Sequence, residues 1–324
     1  MLQVLITIDT EAHSISKDWK ADCLRSDIER DVYGRIDGRE VGLDYQLRIF
    51  AQHGLKANFM VESLFSGCPN VGLNPLKQIV SSILAGGHDV QLHPHTEWLP
   101  HVPGLDIPYR SHHLREFPLH EQVEIIRFAK QQLELAGAPT PIAFRAGGFA
   151  ANADTLAALA QCHVRYDSSF NPCYENAHLH LPEIRSYGQA TAFGAVQELP
   201  ITVFKDRPSH LRPAQLCAVS FAEMSLALER AERQGWEFAV IVSHSFEMVA
   251  NRWNPKKSPA IRHQVVDRFE KLCNFLSQNR DRFQTVYFSD LVIRDSPERV
   301  PDISGSVLNT GLRLFSQTVA RIRP

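Results

Sequence analysis

The sequence predicts an α/β protein built as a parallel β/α barrel. Three observations carry that expectation. Short apolar runs alternate with segments of helical periodicity along nearly the whole chain. The runs number about seven, which points to a barrel. Several of them end on acidic, basic or histidine residues, and in a β/α barrel the carboxyl ends of the strands carry the chemistry.

Taken in order, residues 2–8 form a first apolar strand that runs into Asp9-Thr10-Glu11. Residues 42–53 read as a helix with Leu43, Leu47, Ile49 and Phe50 on its apolar side, stopped at His53-Gly54. Residues 57–61 are the second strand. Residues 73–84 are helical up to Gly86-Gly87, and residues 89–93 are the third strand. A long helix over 119–136 ends at Gly137 and Pro139. Residues 142–144 make a short strand leading into Arg145-Ala146-Gly147-Gly148. Asn152 is a plausible N-cap for a helix over 152–160. Further strands are expected at 164–166, 198–203, 238–243 and 285–288, with helices at 221–234 and 261–279. Residues 13–41 and the proline-rich 99–118, with His101, His112 and His113, read as loops; long loops in a compact domain usually serve binding. The expected division is one catalytic domain over 1–295 and a partly helical tail over 296–324. That tail spaces apolar positions around Arg313, Arg321 and Arg323, which suits a helix docked on the barrel or one resting on a membrane surface.

Composition narrows the class. The chain has 324 residues, 44% hydrophobic and 22% charged, ordinary for a globular protein. Its formal charge of −2 argues against a nucleic-acid partner. Six scattered cysteines form no C-x-x-C pair, so they read as buried thiols. The N-terminus lacks the basic segment of a signal peptide, and no apolar run is long enough to span a bilayer, so a cytoplasmic enzyme is expected. The oligomeric state is not legible.

The candidate site assembles from strand ends. Asp9 and Glu11 are two apart, so on an extended chain their carboxylates share a face. Two such acids can divide the work, one binding a cation and the other taking a proton. His93 and His95 share a face if the third strand continues through Pro94. Two imidazoles and a carboxylate make a three-ligand site with room for water, the pattern of hydrolytic metals. Arg145 at its strand end is suited to pair with a catalytic carboxylate and hold it ionised. Gly147 and Gly148 permit a tight turn and close backbone approach to substrate; with Trp98 and Phe149 they are the candidate substrate contacts. Asp167 either orients a neighbour or caps a turn. His244, closing an apolar strand, suits a general acid. Taken singly, each has an ordinary structural explanation: a turn cap, a core histidine, a plain turn.

In this order the motifs resemble the NodB-type polysaccharide deacetylases, carbohydrate esterase family four. The resemblance rests on Thr7-Ile8-Asp9-Thr10-Glu11, Gly54–Val61, Gly87–His93, Phe144–Gly147, Tyr166–Ser169 and Ser243-His244-Ser245, and it runs from Leu2 to Leu291. It implies a deformed (β/α)7 barrel, the NodB homology domain. It implies Asp9 as base, Glu11 as metal ligand and His244 as acid. Two features depart from the common pattern: the acids are separated by Thr10, and the residue four after His93 is Glu97 rather than histidine. Either His95 or Glu97 would complete the metal shell. The implied cofactor is a divalent metal, zinc first, with cobalt, nickel or manganese as alternatives. The implied reaction is removal of an N-acetyl group from a sugar of a polysaccharide or glycolipid. The alternatives are a deformylase of a lipid-linked amino sugar, another non-peptide amide hydrolase, or a catalytically silent glycan-binding relative.

Overall fold

The computed structural model describes residues 1–12, 21–174, 184, 186–252, 254, 256–294 and 299–322. Nine strands form one curled sheet. They are β1 (Leu2–Thr10), β2 (Asn58–Val61), β3 (Asp89–Leu92), β4 (Ala143–Phe144), β5 (Tyr166–Asp167), β6 (Thr191–Phe193), β7 (Val196–Glu198), β8 (Phe238–His244) and β9 (Phe283–Thr285). The order is β8-β1-β2-β3-β4-β5-β7-β6, with β9 also paired to β1. Every pair is parallel except β6–β7.

The parallel register explains why chemistry collects at one edge. Asp9 lies opposite both His244 and Met60, Val61 opposite Leu92, Leu92 opposite Phe144, and Phe144 opposite Asp167. The first residues beyond these strands therefore meet at a single rim. Alternation along β1 then sorts the faces. Val4, Ile6 and Ile8 pack outward with the helices, whereas Leu5 joins Met60, Tyr166, Val240 and Val242 inside the barrel. Thr7 and Asp9 continue the inward series.

The barrel is deformed at its seam. Residues 198–203, expected as one strand, divide: β7 stops at Glu198, and Val203–Arg207 pairs with His210–Pro213 as a separate hairpin. The residues between them cross the gap instead. Leu199 N–H donates to Asp167 O at 2.8 Å and Thr202 N–H to Val240 O at 3.2 Å. Ala214 and Leu216 extend the bridge to Thr202 and Val242. A barrel needs its last gap closed, and here irregular backbone closes it.

The helices are α1 (Ala21–Asp31), α2 (Leu43–His53), α3 (Asn74–Ala85), α4 (Leu119–Leu135), α5 (Ala153–Gln161), α6 (Phe221–Arg233), α7 (His263–Gln278) and α8 (Val307–Ile322). Asn152 caps α5 by accepting from Thr155 N–H at 3.0 Å. The expectation of a plain loop over 13–41 is corrected where those residues are described. α1 is there, followed by a hairpin, Arg35–Ile36 against Arg39–Glu40. Its turn is Asp37-Gly38, both at positive φ (48° and 73°). The strand expected at 285–288 sits earlier, at Phe283–Thr285, because Asn58 Oδ1 takes the Phe288 N–H and bends the chain away. α8 is docked through Arg313, which is buried and reaches Asp206 and Glu223, each at 3.0 Å. Arg323 of the tail lies outside the described residues. No helix among the described residues is long and apolar enough to cross a membrane.

One core residue is titratable without being part of the rim. His88 is buried between the rings of Phe50 and Phe59, at 5.4 and 5.7 Å, with no hydrogen-bond partner for either ring nitrogen. Burial pushes its pKa down to about 4. The unfolded chain then binds a proton that the folded chain does not between the ordinary histidine value and about 4. Stability is therefore expected to fall as pH drops through that window and to level off below it, by up to about 3 kcal/mol for this group. Urea unfolding of wild type and His88→Leu from pH 4 to 8 checks this. Parallel curves for the two proteins would remove His88 as the cause.

Candidate active site

The rim is organised around one buried guanidinium. Arg145, the first residue beyond β4, has no exposed surface. Its Nη1 donates to Asp9 Oδ1 at 2.5 Å, its Nη2 to Thr7 Oγ1 at 2.9 Å and its Nε to Ser168 O at 3.0 Å. A buried cation needs a counter-ion and a full set of acceptors; Asp9 supplies the first, and Thr7 and Ser168 complete the second. Oδ2 of Asp9 is left facing the histidines, 3.9 Å from His93 Nε2 and 3.8 Å from His244 Nε2.

The metal-type cluster stands beside it. Glu11 Oε2 contacts His95 Nε2 and lies 3.3 Å from His93 Nε2, and the two histidine Nε2 atoms are 3.1 Å apart. Among the described residues, Glu11, His93 and His95 are a group whose ligand atoms all fall within 4.8 Å of one another. Tetrahedral zinc with ligands at about 2.0–2.1 Å separates neighbouring donors by about 3.3 Å. The tautomers fit as well. His93 Nδ1 can only donate to the Arg145 carbonyl at 2.9 Å, and His95 Nδ1 lies 3.2 Å from the Glu97 carboxylate. Both Nε2 lone pairs are thereby aimed at Glu11, an arrangement a cation resolves. Burial would push the His95 ring down, but Glu11 and Glu97 raise it well above the ordinary value, so the pocket favours positive charge at Nε2. The residues present thus fit a divalent ion, and Glu97 stands behind His95 rather than beside Glu11.

Two glutamates that the sequence reading did not single out fix this geometry. β3 ends at Leu92, so His93 and His95 do not lie on a continuing strand. Instead Glu62, just past β2 and fully buried, accepts the backbone N–H groups of His95 and Leu64. Its place just past an apolar strand is like that of the other rim residues, but nothing in the sequence tells that its role is to accept backbone N–H groups. Glu247 does the corresponding work for His244. It accepts from His244 Nδ1 at 2.9 Å, Gln215 Nε2 at 2.7 Å and Cys217 N–H at 3.1 Å. Burial alone would lower the His244 pKa; the Glu247 hydrogen bond and the Asp9 charge outweigh it and raise the value.

The remaining expected residues divide. Gly147 packs on His95: a Cβ there would lie 3.0 Å from the ring. Gly148 and Phe149 both have positive φ (59° and 58°), and they present the Phe149 ring to the cavity, stacked on Tyr174 at 5.6 Å. Asp167 is not in the cavity. It lies behind Arg145, bonded by Ser169 Oγ at 2.5 Å and against Glu198. Burial raises both carboxyls, Glu198 further because the Asp167 charge adds to it. Trp98, expected at the substrate, is corrected. The Thr96–His101 turn rolls its indole inward, where it is 2% exposed and edge-on to Phe65 at 6.0 Å.

These groups open into a single cavity of about 890 Å³ that also reaches Phe246, Arg252 and Arg262. The frame that carries it is the deformed (β/α)7 barrel of polysaccharide deacetylases. In particular, a putative polysaccharide deacetylase from Mycobacterium smegmatis is similar over 93% of this chain and 95% of its own, at 17% identity and a TM-score of 0.54. A 4-alpha-glucanotransferase from Thermococcus litoralis is similar over 99% of this chain and 46% of its own, at 12% identity and a TM-score of 0.52. A family 4 carbohydrate esterase from Streptomyces lividans is similar over 94% of this chain and 97% of its own, at 12% identity and a TM-score of 0.43. No family model matches the sequence, and no curated protein matches it. Likeness at these identities is likeness of fold, and the first two names carry different chemistries, so the reaction has to come from the site.

Proposed function

We propose that the chain is a metal-dependent hydrolase that removes an N-acyl group, acetyl in the first instance, from an amino sugar. The observation that carries this reading is the convergence of Glu11, His93 and His95 on one point beside Asp9 and His244. A divalent ion held by those three residues, zinc or a related transition metal, would supply Lewis-acid polarisation of the amide and of a water. The chain's own groups do the rest. Asp9, oriented through Oδ1 by Arg145, takes the proton of the attacking water at Oδ2. His244, held by Glu247 at Nδ1, gives a proton from Nε2 to the departing amine. Its raised pKa suits an acid at neutral pH. Phe149 offers an apolar wall for the sugar. The silent-binder reading has against it that a binding protein needs neither a base nor an acid.

Elemental analysis of the purified chain is expected to give about one divalent ion per molecule. Chelation should abolish release of acetate from N-acetylated sugars, and reloading should restore it. His95→Ala should lose metal more severely than Glu97→Ala, because Glu97 only holds the His95 Nδ1 side. Equal activity of the chelated and reloaded protein would overturn the metal mechanism, and the reverse ranking would exchange the ligands.

A further inference from the structure

The cavity has two chemically different ends. One is the acidic rim of Asp9, Glu11 and Glu247; the other is basic. The segment between β8 and α7 carries Arg252 and Arg262 into the wall, and Asn251, Arg252 and Asn254 also line a neighbouring opening of about 390 Å³. Arg30, Lys256 and Lys257 line that opening with Asn251 and Asn254, and no acidic residue is among the described lining.

The charges there do not balance. Arg30 is paired with Asp27 and Asp31 at 2.8 and 2.7 Å. Arg252, 8% exposed and stacked over the Phe246 ring, has Asp31 Oδ1 at 3.8 Å. Two guanidinium groups thus meet two carboxylates. Arg262, Lys256 and Lys257 add three more cations, and their side chains form no ion pair among the described residues; Arg262 Nη1 only donates to the Glu247 carbonyl at 3.3 Å. A neutral glycan can accept hydrogen bonds from Arg262, Lys256 and Lys257 but leaves their charge uncompensated. A phosphoryl group, with its charge and its outer oxygens, matches them, and arginine forks suit it best.

We propose that this basic arm binds a phosphoryl group on the substrate, so that the N-acyl sugar is a glycosyl phosphate rather than a neutral polymer. The proposal rests on the deacylase reading for what happens at the other end of the cavity. The phosphate could belong to a soluble sugar phosphate or to a lipid-linked one; the recognition chemistry is shared.

Calorimetry on the metal-loaded chain tests it with unreactive products. Glucosamine 1-phosphate is expected to bind about 30-fold more tightly than methyl glucosaminide, the scale of one charge-assisted hydrogen bond. Raising ionic strength from about 0.05 M to about 0.5 M should shrink that ratio. In Lys256→Gln/Lys257→Gln/Arg262→Gln it should fall to about threefold or less. The three side chains are exposed, so the thermal midpoint should stay near that of wild type. Equal binding of the two probes, or a ratio unchanged in the triple variant, overturns the arm. Glucosamine on a short polyprenyl phosphate in micelles, binding more than tenfold tighter than glucosamine 1-phosphate, would assign the lipid source; equal binding would assign the soluble one. The two readings fail separately. Hydrolysis of neutral N-acetyl sugars with no preference for phosphate sinks the arm alone. Phosphate binding through the arm without hydrolysis of any N-acyl sugar sinks the deacylase reading alone.

Discussion

Asp9→Asn is expected to lower turnover of an N-acyl sugar by about 10²–10⁴-fold while the protein keeps its metal. The amide has the shape of the carboxylate and can still meet Arg145, but it cannot accept the proton of the attacking water. Asp9 Oδ1 is committed to the guanidinium, and Oδ2 lies 3.9 Å from His93 Nε2, outside the Glu11–His93–His95 group. Activity and metal content should therefore separate. Single-turnover assays for released acetate, run beside metal analysis of the same sample, give both numbers. A variant that loses its metal would make Asp9 a ligand and leave the base to be found elsewhere.

Arg145→Met is expected to damage the protein twice. Removing one partner of a buried ion pair leaves the other uncompensated, which costs about 3–5 kcal/mol of stability. Asp9 also loses the contact that orients it, so turnover should fall by about 10²-fold or more. The double variant Asp9→Leu/Arg145→Met removes both charges. It should regain most of the stability and none of the turnover, since swapping a buried pair for apolar groups is often close to neutral. Denaturant midpoints and initial rates of the two single variants and the double variant make the test. Additive losses in stability would mean that the two residues are not coupled as the 2.5 Å contact requires.

What the sequence revealed of this site was a list of residues at strand ends, and the reason is geometric. A parallel sheet in register brings the carboxyl ends of its strands to one line, so Asp9, His93, Arg145 and His244 could be grouped without coordinates. The supports were harder to see. Glu62 and Glu247 act by accepting from a backbone N–H or a ring nitrogen, and a lone glutamate after a strand has no pattern that announces this. His93 and His95 were grouped on the premise of a continuing strand. The strand stops at Leu92, and Glu62 holds His95 in place instead. Trp98 was grouped with Gly147, Gly148 and Phe149 as a substrate contact, and a single turn, Thr96–His101, is enough to bury it. α1 went unseen because Asp27, Arg30 and Asp31 make its sequence look polar, although Arg30 pairs with both acids. The seam at 199–216 depends on which strands close the barrel, a long-range matter that local pattern does not encode.

The pairing of β1 also has a consequence for the order of assembly. Residues 3–9 hydrogen-bond to residues 238–244, so β1 waits for a strand that is synthesised more than two hundred residues after it. At about 5–20 residues per second, that wait on a ribosome is on the order of 10–50 s. Over the interval β1 can recruit 58–61, but one of its edges stays open, and an apolar open edge is where nascent chains stick to each other. The acid–base pair cannot exist in any fragment that stops short of residue 244, however well its helices form. Catalytic competence in this chain is thus a late event in time, tied to closing a loop of more than two hundred residues.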